Sequence, residues 1–69
     1  SDFEKLTQRE REVLQLIVEG RTAAQIAEEL YITTKTVEGH KTRIFEKLNV
    51  RDRTQAAILA IQYGLIEKS

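Results

Sequence analysis

Apolar positions recur along this chain at spacings of three and four, and polar clusters divide them into four groups. In the first group Val13, Leu14, Leu16 and Ile17 form a stripe behind Thr7 and Glu10, whose separation of three is that of a capping box, and Gly20 ends it. The spacing predicts a helix over about 8–19. Thr22 can cap a second helix, about 23–30, in which Ile26 and Leu30 fall one turn apart. Thr33 is a further cap before Val37, Ile44 and Phe45, which predicts a third helix over about 34–47, with Asn49 as a left-handed stop after Leu48. Asp52 or Thr54 can open a fourth, about 53–63, closed by Gly64, with Leu65 and Ile66 expected to fold back onto the core. Proline is absent, and no segment alternates apolar and polar residues as a strand would. The fold class expected is all-α, a compact four-helix domain with short turns.

The second and third helices, with the turn between them, form a helix-turn-helix over about 23–42. Ala23, Ala24 and Ala27 are small enough to let a crossing helix approach, and Ile32 in the turn can plug the gap. The third helix is then free to project Lys35, Thr36, Glu38, Gly39, Thr42 and Arg43, polar groups suited to base edges and phosphates.

The segments LTQREREVLQLIVEG, IAEELYIT, KTVEGH, EKLNV and RTQAA together resemble the DNA-binding domain of LuxR-type regulators, the module found in NarL-like response regulators and quorum sensors. The resemblance runs from Leu6 to about Leu65, with its motifs in the family's order. It implies sequence-specific binding to double-stranded DNA and regulation of bacterial transcription, as a dimer on two half-sites. It also implies that residues 1–69 are one domain, the C-terminal effector part of a longer regulator such as a response regulator. The opening Ser1-Asp2-Phe3, without methionine, fits an excised or processed chain. RNA polymerase is a further expected partner.

Composition first argues the other way, because 11 basic residues balance 11 acidic ones and a polyanion should repel as much as it attracts. The distribution reverses that inference. Residues 1–30 hold seven acids against four bases, and residues 31–53 hold three acids against six bases, so the basic surplus falls on the second half of the helix-turn-helix and the segment after it. Cysteine is absent and His40 is the single histidine, so no disulfide, thiolate site or histidine-built metal site is expected. No apolar run approaches the roughly 20 residues of a membrane span, and a soluble, cytoplasmic domain with no cofactor and no small-molecule ligand is expected.

Enzymatic chemistry finds no footing. Glu10, Glu12, Glu28 and Glu29 fall at capping or exposed helical positions, and His40 lies between Thr36 and Ile44 with no nucleophile beside it. Such a histidine packs at the core edge or meets a phosphate. The three glycines are isolated, so there is no phosphate-cradling loop. Gly39 stands inside the third helix, where glycine costs about 1 kcal/mol relative to alanine. Close approach to DNA or mere tolerance on an exposed face would each account for it.

The family pattern, carried onto this sequence, implies base contacts from Glu38, Gly39 and Thr42 and phosphate contacts from Thr22, Thr33, Thr34, Lys35, Thr36, Lys41, Arg43 and Lys47. Glu38 departs from the lysine or arginine common in relatives, so it should accept from cytosine or orient Lys41 or Arg43. Ala23-Ala24 replaces a frequent Asn-Lys pair, which removes one phosphate contact. On a helical wheel of the fourth helix, Ala57, Ala60, Ile61 and Gly64 share the expected core face and leave Gln55, Ile58, Leu59 and Gln62 outside. These are either scattered surface residues or, as the family implies, a homodimer seam. Two other readings compete: promoter binding like region 4 of sigma factors, and a helical protein-interaction module without DNA affinity. The segment RDRTQAAILAIQYGLI favours the LuxR-type reading over the sigma one, since it adds a fourth helix.

Overall fold

In the computed structural model, which describes residues 2–64, a threonine hydroxyl opens each of the first three helices. Thr7, Thr22 and Thr33 have extended backbone, and each side-chain oxygen accepts from the N–H three residues on. They start α1 (Gln8–Val18), α2 (Ala23–Leu30) and α3 (Thr34–Leu48). The side chains of Glu10 and Gln25 reach back to Thr7 and Thr22 and complete capping boxes. Asp52, not Thr54, caps α4 (Arg53–Gln62) by accepting from the Gln55 N–H. All four helices fall within a residue of the expected bounds at each end. A 3-10 turn over Asp2–Lys5, which the periodicity did not announce, carries Phe3 and Leu6 into the core.

Helices α1, α2 and α3 also end alike. Gly20 (φ 95°), Tyr31 (φ 58°) and Asn49 (φ 55°) are left-handed. The next residue donates back to a carbonyl five positions earlier: Arg21 to Leu16, Ile32 to Ala27 and Val50 to Phe45, at 2.9–3.1 Å. This closure turns Ile32 and Val50 inward, half-buried against the core. Tyr31 is the unexpected member, because a left-handed non-glycine residue costs roughly 1–2 kcal/mol and no stop signal stood there. Its ring is 94% exposed, so the conformation is held by the turn and by Ile32 rather than by contacts of the ring.

The core is one cluster: Val13, Leu14 and Ile17 of α1, Ile26 and Ala27 of α2, Val37, Ile44 and Leu48 of α3, Ala56 and Ala60 of α4, with Phe3 and Leu6. α3 packs on both α1 and α2, and α4 packs on α1. Two expectations need correction. Of the three small residues assigned to the crossing, Ala27 is buried, Ala23 is half-buried and Ala24 is exposed. On α4 the core face is Ala56 and Ala60 with half-buried Leu59; Ile61 is 45% exposed and Gly64 is also exposed. Ala60 belongs to both the expected and the observed face, but the buried face is rotated so that Ala56 and Leu59 flank it in place of Ile61 and Gly64. Ile58 (52% exposed) and Ile61 are therefore the outward aliphatics, one turn apart. Leu65 and Ile66 lie outside the described residues.

Candidate nucleic-acid interface

Burial of Val37, Ile44 and Leu48 fixes which side of α3 faces outward. Lys35, Thr36, Glu38, Thr42 and Arg43 are exposed along the opposite side, and Gly39, His40 and Lys41 are half-buried beside them. The sequence-derived strip is therefore contiguous. At its N-terminal end Thr33 Oγ1 accepts from the Thr36 N–H at 3.1 Å and shares a hydroxyl–hydroxyl bond of 2.9 Å with Thr36. Thr34 follows in the first turn of α3, and Thr22 stands exposed at the start of α2. The helix dipole makes both N-termini favourable places for a phosphate.

Within the strip the side chains already have neighbours. The Thr42 hydroxyl donates to the Glu38 carbonyl at 3.0 Å, so its oxygen is left as an acceptor. Glu38 lies 3.9 Å from the Lys41 ammonium, an exposed pair worth little in free energy, and Lys41 also sits 5.9 Å above the Phe45 ring. A Cβ built at Gly39 would meet only the end of the Arg43 guanidinium, at 3.7 and 3.9 Å, which is ordinary contact. Nothing inside the protein requires glycine there.

Lys47, expected among the phosphate contacts, already has a partner inside the protein. Its ammonium donates to Glu10 Oε1 at 2.8 Å, and Arg43 Nε lies 3.8 Å from Glu10 Oε2. Glu10 itself was expected on the surface, yet it is 3% exposed. Burial alone pushes its carboxyl up; the Lys47 hydrogen bond and charge and the Thr7 backbone and side-chain bonds outweigh that and hold it below the usual glutamate range. The partners are 37 residues apart in sequence, so no local pattern could have shown the pair. A second long connection, also unforeseen, joins the Arg53 guanidinium to the Arg21 carbonyl at 2.8 Å, beside the α2 cap.

Of the expected α4 residues, Gln55 accepts from the Arg51 N–H at 2.8 Å, Ile58 and Gln62 are exposed, and Leu59 is half-buried against the core. Among the described residues no group of three or more His, Cys, Asp or Glu side chains could hold a metal ion, and no helix is long and apolar enough to cross a membrane.

A capped α2, a tight left-handed turn and an α3 with one buried and one polar side define a helix-turn-helix. The comparisons with known proteins agree. Residues 4–60 match the family described as bacterial regulatory proteins, luxR family, and the chain belongs to that family of DNA-binding transcription regulators. It is 56% identical over 63 residues to the transcriptional regulatory protein LiaR of Bacillus subtilis, covering 91% of this chain and 30% of that protein. It is 49% identical over 65 residues to the response regulator protein VraR of Staphylococcus aureus, covering 94% of this chain and 31% of that protein. The chain thus spans about a third of the length of these relatives.

The lowered pKa of Glu10 sets a pH dependence. A carboxyl whose folded pKa lies below its unfolded value of about 4.3 contributes stability above that value and loses it as pH falls through the folded pKa. Urea midpoints between pH 7 and pH 3 are expected to fall more steeply for the parent chain than for Glu10→Gln, with the divergence confined to pH below about 4.3. Parallel curves would show that the Lys47 pair contributes nothing through this charge.

Proposed function

We propose that the chain is the C-terminal output domain of a two-component response regulator, and that it binds double-stranded DNA as a dimer on two half-sites in the bacterial cytoplasm. The observation that carries this reading is the uncovered polar strip of α3, at whose middle Gly39 has only a guanidinium tip nearby. Relatives named as a transcriptional regulatory protein and a response regulator support the placement in a longer regulator. Contact with RNA polymerase would follow at a promoter.

Base readout is assigned to Glu38, Gly39 and Thr42. Because the Thr42 hydroxyl donates to its own helix, its oxygen suits an amino group of adenine or cytosine, and Glu38 suits cytosine N4. Thr22, Thr33, Thr34, Lys35, Thr36, Lys41 and Arg43 are assigned to phosphates, which give affinity without sequence information. Lys47 is assigned to the same set, with one of its three N–H groups committed to Glu10.

Gly39→Ala separates close approach from tolerance. The substitution should raise folding stability by up to about 1 kcal/mol, since it improves helix propensity without a clash. Affinity for a duplex selected from a random pool should nevertheless fall by roughly tenfold or more, on the order of the 1–3 kcal/mol of a lost base contact. Affinity that stays level or rises with stability would mean that no duplex comes close to this backbone.

The dimer reading rests on Ile58 and Ile61, with Gln62 beside them and Gln55 at the N-terminal end of the same helix. Ile58→Asp should change stability by no more than about 0.5 kcal/mol, as expected for an exposed site. It should abolish cooperative binding to a two-half-site duplex and spare a single half-site. Leu59→Asp is no clean test, because Leu59 packs on the core and the variant should unfold more readily. Cooperativity that survives in Ile58→Asp would place the dimer contact elsewhere.

A further inference from the structure

We propose that Glu10 is a positioning residue for the DNA-facing side of α3, fixing Arg43 and Lys47 so that the domain separates its own operator from other DNA. This rests on the DNA-binding reading above. Glu10 stands in the first turn of α1, away from the strip, and its carboxylate serves two elements at once. Oε1 accepts from the Thr7 N–H at 2.9 Å and from Lys47 Nζ at 2.8 Å, while Oε2 faces Arg43 Nε at 3.8 Å. The chain of contacts continues outward, because a terminal nitrogen of Arg43 lies 3.3 Å from His40 Nδ1. His40, Arg43 and Lys47 follow one another at steps of three and four along α3 and so share one edge of it.

A long cation with free rotamers can meet a phosphate wherever the backbone of any duplex happens to lie. A cation tethered to a buried carboxylate meets one only when α3 is seated at a particular depth and angle, which is the pose that base contacts also require. Tethering therefore lowers affinity for unrelated DNA more than for the operator. Lys47 is the cation held by a hydrogen bond, and Arg43, 3.8 Å from Oε2, is drawn toward the same charge. The negative charge of Glu10 also offsets part of the positive field that would otherwise act on every sequence equally.

The capping-box chemistry makes a selective test possible. Glutamine serves at the same position of a capping box, so Glu10→Gln keeps the bond from Thr7 and removes the charge that holds Arg43 and Lys47. Fluorescence anisotropy would compare a duplex selected by the parent chain with its scrambled counterpart, at two salt concentrations. In Glu10→Gln the ratio of the two affinities should fall by roughly tenfold, within the range of couplings between contacting charged groups. Most of that fall should come from tighter binding to the scrambled duplex, with a salt slope steeper by about one phosphate. Lys47→Met should also lower the ratio, Lys47→Arg should restore it, and Lys47→Met added to Glu10→Gln should lower it no further than either alone.

An unchanged ratio in Glu10→Gln overturns the proposal, as does an equal loss on both duplexes. Should Glu10→Gln fail to fold, the comparison of Lys47→Met with Lys47→Arg decides in the same way, because Lys47 is partly exposed and Arg43 still faces the Glu10 carboxylate when Lys47 is replaced. A parent chain that retains no DNA from the pool would instead remove the DNA-binding reading, and the proposal with it.

Discussion

Everything α3 presents outward depends on the burial of its inner edge. Val37, Ile44 and Leu48 recur at intervals of seven and four, and together they fix both the rotation of the helix and its position over α1. A marked roll of the helix would expose Val37 and bury Thr36 or Arg43. Apolar burial is worth about 1.5–3 kcal/mol for each such side chain, so the polar strip is oriented by the core and not by its own interactions. The exposed pair of Glu38 with Lys41 could not do this, being worth at most about 1 kcal/mol.

Placing a buried charge between α1 and α3 adds a different kind of restraint. Hydrophobic contact is non-directional, whereas the carboxylate of Glu10 is met by Thr7 and Lys47 at defined positions that offset its desolvation. Rotation of α3 by one residue would leave that charge buried without its cations. The α1 cap and the orientation of α3 are thus coupled through a single side chain. The three repeated helix stops add local restraint, since each turns the chain through one left-handed residue closed by a backbone hydrogen bond.

Much of this could be read in the sequence because the signals were local. Thr7 with Glu10, Thr22 and Thr33 each announced a helix start through a hydroxyl and an amide three residues away, and Asn49 announced a stop. The face of α4 differs from expectation for a physical reason: Ala56, Ala57, Ile58, Leu59, Ala60 and Ile61 surround the helix and leave no single apolar stripe, so only packing on α1 selects Ala56 and Ala60. Tyr31 carried no glycine or asparagine signal for its left-handed turn. The pair of Glu10 with Lys47 joins the two ends of a 37-residue separation, which no window of helical spacing spans. The strip of α3 lay between these cases. Its residues were legible by periodicity, but the internal commitments of Thr42 and Lys47 appeared only with the fold.

A formally neutral domain that binds DNA must do so through one oriented face. Backbone amide shifts recorded while the chain is titrated with a duplex selected from a random pool test it most directly. Changes are expected to concentrate at residues 33–43 and at the start of α2, with the Ala56 and Ala60 face of α4 unmoved. Shifts confined to the surface depression formed by Arg21, Gln25, Glu28, Glu29 and Tyr31, with α3 silent, would contradict it.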